Sequence, residues 1–346
     1  MLTNKQIKEI REHLEKAQNP VFFFDNDPDG LCSFLILRRY IDRGKGVPIR
    51  SFPELNESYF RKVQELNADY IFVLDKPIIS KEFLDEVEKN NIPLVWIDHH
   101  EIQIEIPEFV YYYNPILNKE EKGNEPVTYL CYQTTKKKDD LWLAVAGCIS
   151  DSYFPDFYTE FIEKYPELSI EAKKAFDILY KSEIGKITRI FDFSLKDRTT
   201  NVISMLKFLV QIKTPYEVLE ENSKNHTMHY RFNQIETKYR KLLNKAEESV
   251  KDEKLLFFQY GGDLSISAEL ANELSYKFPK KIVVVAYLMG AKANISVRGK
   301  SVRGKIMKAI EGLESATAGG HEDAVGARVN VEDLDNFRER LKEMID

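Results

Sequence analysis

The chain has 346 residues, 43% of them hydrophobic and 31% charged, with a formal net charge of −6. That balance is ordinary for a soluble globular protein, and the length suggests two domains. No apolar run approaches the ~20 residues that span a bilayer, so no membrane partner is expected.

The opening MLTNKQIKEIREHLEKAQNP reads as an amphipathic helix with both charge signs and without the apolar stretch of a signal peptide. Cys32, Cys131 and Cys148 are scattered without a CxxC pair, which argues against a disulfide framework and a thiolate zinc site. A reducing, cytoplasmic setting fits.

VFFFDN (21–26), IFVLDK (71–76) and PLVWIDHH (93–100) are short apolar runs that end in acids. Each predicts a buried parallel strand with a polar C-terminal end. Helical patterns at 31–44 and 81–91 lie between them. Strands alternating with helices predict an α/β fold with a doubly wound parallel sheet, whose ligands bind outside the carboxyl ends of the strands. DDLWLAVAGCISDS (139–152) predicts a helix capped by Asp139 or Asp140 and running into Asp151. Residues 160–225 read as mostly helical, interrupted at Pro215. The charged stretch 226–252 predicts a helical connector between a first domain, 1–225, and a smaller second α/β domain, 253–346. In the latter, 255–260 and 281–290 read as strands, and 265–278 as a helix capped by Ser265 or Ser267.

Four acidic positions stand at element ends: Asp25, Asp27 and Asp29 in DNDPDG, then Asp75, then Asp98-His99-His100, then Asp151. Taken singly, each has an ordinary explanation; DPDG is good turn chemistry, and paired histidines are often surface residues. Four such positions in one α/β pattern are harder to explain that way. Carboxylates with imidazole suit a hard or borderline divalent ion such as Mn²⁺ or Mg²⁺. So many anions in one crevice repel unless cations hold them. Two ions roughly 3.5–4 Å apart need a bridging carboxylate, and such a pair activates water toward a phosphoryl group.

The order D-x-D-x-D-G, strand-D, D-H-H and helix-D resembles the four motifs of DHH superfamily phosphoesterases. Downstream, ANISVRG (293–299) resembles the S-x-R strand of the DHH-associated C-terminal domain, and ATAGGHEDAVGARV (316–329) its G-G-H-x-x-A-x-G signature. The resemblance implies an active site in the cleft between two domains and two divalent metal ions, Mn²⁺ before Mg²⁺. Its ligands would be Asp27 and Asp75, with Asp25 beside them, for one ion, and Asp29, Asp75, His99 and Asp151 for the other. Asp75 would bridge. His100 would touch the scissile phosphate or act as an acid, and Asp98 would orient the histidines. Many members carry a histidine where this chain has Phe23; the RecJ-like branch begins its motif with aspartate, as Asp25 does here.

In the second domain, the resemblance makes Gly319, Gly320 and His321 a phosphate cradle, with Ser296 beside it and Arg298 as a bidentate clamp. The stretch 292–305 holds five basic residues and no acid, which offsets the acidic total. The implied activity is hydrolysis of single-stranded DNA or RNA, or of short oligonucleotides, as a RecJ-like exonuclease or nanoRNase, with replication or repair proteins as further partners. The alternatives are a small-molecule phosphatase or a cyclic-dinucleotide or dinucleotide phosphodiesterase of the same superfamily, or a replication or repair scaffold of the same fold. A scaffold usually loses its metal ligands, and this chain keeps them. Tyr111-Tyr112-Tyr113 reads as strand packing, and His226 and His229 as helix surface.

Overall fold

A computed structural model describes residues 1–51, 54–118, 125–250 and 254–345. The chain divides into two compact units, Met1–Phe232 and Asn233–Asp346.

The first unit is built on strands β1 (Pro20–Asp25), β2 (Lys45–Ile49), β3 (Tyr70–Leu74), β4 (Leu94–Ile97) and β5 (Val110–Tyr113). They pair parallel throughout, in the order β2-β1-β3-β4-β5. The chain steps from β1 outward to β2, then crosses back to β3, so the sheet's topological switch lies between β1 and β3. Both faces are apolar because both are covered. Val21, Phe23, Val73 and Trp96 pack against Phe83 and Val87 of a helix at Lys81–Lys89. On the opposite face, Phe22 and Phe24 meet Phe34, with ring centroids 5.7 and 5.1 Å away. Phe34 belongs to helix α1 (Pro28–Ile41). Two more buried helices, α2 (Val127–Thr135) and α3 (Leu141–Ser150), complete that side. The predicted helical stretch after residue 160 is a series of helices from Tyr158 to Leu219, the last beginning beyond Pro215.

Capping departs from expectation. Asp140 stands before α3 without a capping bond; it is fully buried, and its Oδ1 accepts from Arg39 Nε at 2.6 Å. A charge-assisted bond to a buried guanidinium is stronger than one to a helix N–H. No side chain caps the helix α5 (Ser267–Lys277) either. The Ser267 hydroxyl is instead hydrogen-bonded to Ser296 Oγ, 3.0 Å away.

The helix α4 (His226–Glu248) follows the first unit's sheet, and the boundary between the compact units falls inside it. The boundary expected between 252 and 253 lies outside the described residues. The second unit has strands β6 (Leu255–Gly261), β7 (Ile282–Met289), β8 (Lys292–Arg298), β9 (Thr317–His321) and β10 (Ala324–Asn330), in the order β9-β10-β8-β7-β6. Ala293, Ile295 and Val297 face a core formed with Ile306 and Phe337 of two further helices. Strand alternation therefore turns Ser296 and Arg298 to the other face, where α5 lies. No described helix is long and apolar enough to cross a membrane.

Candidate metal centre

The carboxyl ends of β1, β3 and β4 carry the first three acidic motifs, on both sides of the switch point. After β1, Asp27 caps α1 by accepting from Gly30 N–H at 2.9 Å, and Pro28 opens the helix with its φ already set. Gly30 is obligatory: a Cβ there would lie 2.4 Å from the Asp25 carbonyl oxygen. The turn is thus tight enough to gather Asp25, Asp27 and Asp29 at one strand end. Asp29 is completely buried and accepts from the Val127 and Thr128 N–H groups, at 2.9 and 2.7 Å, at the start of α2.

Asp75 follows β3 with φ +59°, a left-handed conformation rarely adopted by non-glycine residues. Its N–H donates to Ile97 O at 3.0 Å, which ties the turn to β4. Its Oδ1 is buried and accepts no hydrogen bond, although His99 Nε2 and His100 Nδ1 stand 3.4 and 3.8 Å away. Past β4, Asp98 Oδ1 and His100 Nδ1 are 2.8 Å apart. His99 Nε2 also stands 3.5 Å from Asp151 Oδ2. Asp151 ends α3, where the helix dipole disfavours an anion and a nearby cation is favourable.

Three sets of side chains bring ligand atoms within 4.8 Å of one another: Asp25, Asp27 and Asp75; Asp75, His99 and His100; and Asp29, His99 and Asp151. Asp75 is common to two sets, and His99 to two. All six residues expected to ligate metal, Asp25, Asp27, Asp29, Asp75, His99 and Asp151, fall in these sets, and His100 joins them.

Electrostatics match a centre built for cations. Burial, and then the neighbouring Asp75, Asp25, Asp151 and Asp29, raise the Asp27 carboxyl well above its ordinary range. Burial and Asp29 do the same to Asp75. Asp29 is raised to about 6 by burial and by Asp151, against the opposing effect of His99 and the bonds from Thr128. Burial alone would lower both imidazoles. The carboxylates outweigh it: Asp151 and Asp29 chiefly raise His99, and the Asp98 bond and Asp75 raise His100. An orphaned buried carboxylate oxygen, raised carboxyls and an N,O donor set fit divalent cations.

Four supporting residues carry no motif and were not anticipated. Lys76, only 1% exposed, sends Nζ to Asp25 Oδ1 and to the Ser51 carbonyl, both at 2.9 Å. Thr128 holds Asp29. Asn114 donates through Nδ2 to the His100 carbonyl at 2.9 Å and to the Tyr112 hydroxyl at 2.8 Å. Gly147 on α3 lets Thr128 approach, since a Cβ there would be 2.2 Å from Thr128 Oγ1. Only adjacency to Asp75 could have signalled Lys76. A pocket of about 310 Å³ opens beside it, lined by Asp25, Asn26, Arg50, Lys76 and Lys196.

The second unit gathers four of the other predicted residues, Ser296, Arg298, Gly319 and His321, on one sheet face. Arg298, Ala324 and His321 form one cross-strand row, and Ser296, Gly326 and Gly319 the next. Residues directly opposite in antiparallel strands share a face, so Arg298 and His321 flank a strip of glycine and alanine. Gly320 points the other way and has φ +134°; a Cβ there would meet Ala324 O at 2.4 Å. The Gly-Gly pair therefore sits within an edge strand, β9. Arg298 Nε donates to Asn272 Oδ1 at 2.6 Å, and Ser296 is buried against Ser267. His226 lies on the helix surface as expected, its Nδ1 bonded to Glu221, but His229 is buried, because its Nε2 reaches the Val218 carbonyl.

Residues 21–150 match the DHH family, N-terminal domain, and residues 252–346 match the DHHA1 domain. No curated protein matches the sequence. Among solved structures, a RecJ from Thermus thermophilus in complex with Mn²⁺ is similar, with TM-score 0.70 and 16% identity over 99% of this chain and 54% of that one. The chain thus spans about half the length of that RecJ. The PF0399 DHH domain, a member of the s1p family of ribosomal proteins, has TM-score 0.69 and 14% identity over 99% of this chain and 89% of that one. A CDC45 from Entamoeba histolytica has TM-score 0.52 and 12% identity over 98% of both chains. At these identities the likeness is one of fold.

Proposed function

Because this chain belongs to the DHH superfamily of phosphoesterases, with a DHHA1 domain at its C-terminal end, we infer that it is a metal-dependent phosphodiesterase. Its substrate in this reading is single-stranded DNA or RNA, or a short oligonucleotide, cut to mononucleotides. The observation that carries the reading is the convergence of three ligand sets on Asp75 and His99.

Asp27, Asp75 and Asp25 would hold one divalent cation; Asp29, Asp75, His99 and Asp151 the other. Mn²⁺ suits the mixed carboxylate and imidazole donors best, and Mg²⁺ suits the carboxylates. These residues would hold cations there, which would supply charge neutralisation for a phosphoryl group and a more acidic water. Asp75 has one oxygen without a hydrogen bond, as a bridging ligand requires. Asp98 holds His100 through Nδ1 and so orients the ring that would meet substrate. The raised proton affinity of His100 suits it to protonate the leaving oxygen. On the second unit, Arg298 and His321 would grip phosphate across the Ala324 strip, with the Gly319 backbone beside them. Six candidate ligands in overlapping sets favour an enzyme over a scaffold of the same fold.

The test is an Mn²⁺-dependent time course on single-stranded DNA and RNA labelled at either end, from two to about thirty nucleotides long. Ladders on long strands mark a RecJ-like exonuclease, and the labelled end gives polarity. Cleavage of only the shortest oligomers marks a nanoRNase or dinucleotide phosphodiesterase. Absence of cleavage with metal bound would sink the nuclease reading.

A further inference from the structure

Lys76 immediately follows the shared ligand Asp75, yet a buried lysine is an unexpected neighbour for a cation site. Its position is fixed at both ends. Its carbonyl accepts from Trp96 Nε1 at 2.8 Å, and its Nζ bonds Asp25 Oδ1 and Ser51 O at 2.9 Å each. The side chain is 1% exposed. The ion pair is therefore a built feature rather than a surface contact.

The two candidate metal positions differ in this respect. The Asp25, Asp27 and Asp75 set contains a carboxylate already paired with an ammonium. The Asp29, His99 and Asp151 set contains an imidazole, and among the described residues no lysine or arginine forms an ion pair with its acids. An ammonium sharing Asp25 repels a divalent cation at the same carboxylate. It does not exclude one, since an ionised carboxylate offers about four lone-pair directions. Asp75 Oδ1, buried, without a hydrogen bond and facing His99 and His100, is an independent sign that a cation belongs in the shared centre.

We propose that Lys76 is a positioning residue that makes the two metal positions unequal. The position served by Asp29, His99 and Asp151 fills first, and the one served by Asp25 and Asp27 fills only at higher metal concentration. When the weaker position is empty, the ammonium still holds Asp25 in place. This rests on the two-metal reading above and adds to it an order of filling.

The experiment is a titration of the metal-stripped full chain with MnCl₂, followed by calorimetry and by the Mn²⁺ electron paramagnetic resonance signal. The wild type should bind in two steps about tenfold or more apart, the isolated-ion spectrum of the first being broadened by spin coupling in the second. In Lys76→Met the weaker step should tighten by about 10–100-fold, the range over which groups behind ligands tune metal sites. Lys76→Arg, which keeps the charge, should retain the two separated steps. Equal affinities in the wild type, or an unchanged separation in Lys76→Met that folds by circular dichroism, would overturn the proposal while leaving two-metal binding intact. A wild type that binds no Mn²⁺ overturns both. If Lys76→Met does not fold, Lys76→Gln, which removes the charge and keeps a polar side chain, takes its place with the same expected tightening, and an unchanged separation there overturns the proposal.

Discussion

Thr128 grips Asp29 at two points: its N–H donates to the carboxylate at 2.7 Å, and its hydroxyl donates to the Asp29 main-chain oxygen at 2.9 Å. The start of α2 thus aims a carboxylate of α1 that is otherwise sealed from water. Gly147 makes room for this contact. Gly147→Ala should therefore cost about 1–3 kcal/mol through overpacking and weaken metal binding. Adding Thr128→Ala should recover packing but not metal affinity. Thermal melts and Mn²⁺ titrations of the two variants check this.

Asp75 combines an unbonded buried oxygen with a positive φ. Asn is among the few residues that tolerate that backbone region, so Asp75→Asn should fold normally. It should lose at least about 10²-fold in metal affinity and turnover, since the shared ligand is gone. Wild-type turnover in a folded Asp75→Asn protein would refute the bridging assignment.

His100 holds its proton more tightly than an ordinary imidazole, because the bond to Asp98 and the charge of Asp75 outweigh burial. Asp98→Asn removes a charge and keeps the shape. The His100 titration, followed by imidazole NMR in the metal-free protein, should move to lower pH. Activity against pH should shift the same way on its alkaline side, where the acid form is lost.

The metal-free protein should be more stable in mild acid than at neutral pH. Asp27, Asp29 and Asp75 have raised proton affinity in the fold, so the native state binds more protons than the unfolded chain. For Asp29 this window runs from the ordinary value of 3.8 up to about 6, and stability falls as pH rises through it. His99 and His100 are also raised, so their contribution is full below their ordinary value of 6.5 and is lost as pH climbs above it. Melting of the stripped protein across this range should show a midpoint several degrees lower at the alkaline end, and added Mn²⁺ should abolish the trend. A midpoint that rises with pH in the stripped protein would contradict the assigned electrostatics.

Arg298 shares a sheet face with His321, and Asn272 holds its Nε. Arg298→Ala should raise KM for an oligonucleotide by about tenfold or more with Mn²⁺ affinity unchanged, as expected for loss of a charged hydrogen-bond pair. A loss of Mn²⁺ affinity instead would rule out the phosphate-grip role.

Much of the centre was legible in the sequence. Continuous apolar runs such as VFFFD and YIFVL can be buried on both faces only in a covered parallel sheet, and acids placed straight after them must stand at its carboxyl edge. Ser296 and Arg298 were singled out by their resemblance to an S-x-R strand, and alternation along β8 then turns them away from Ile295 and Val297. Contacts between distant segments were another matter. The Lys76–Asp25 pair joins residues 51 positions apart, the Thr128–Asp29 contact spans 99, and Arg39 diverts Asp140 from its cap across 101. None of these pairs has a local period or spacing. Strand order and helix packing alone bring them together, and burial then makes each unpaired charge costly enough to find its partner. Local chemistry thus determined which residues could form the centre, and tertiary structure decided how their charges are shared.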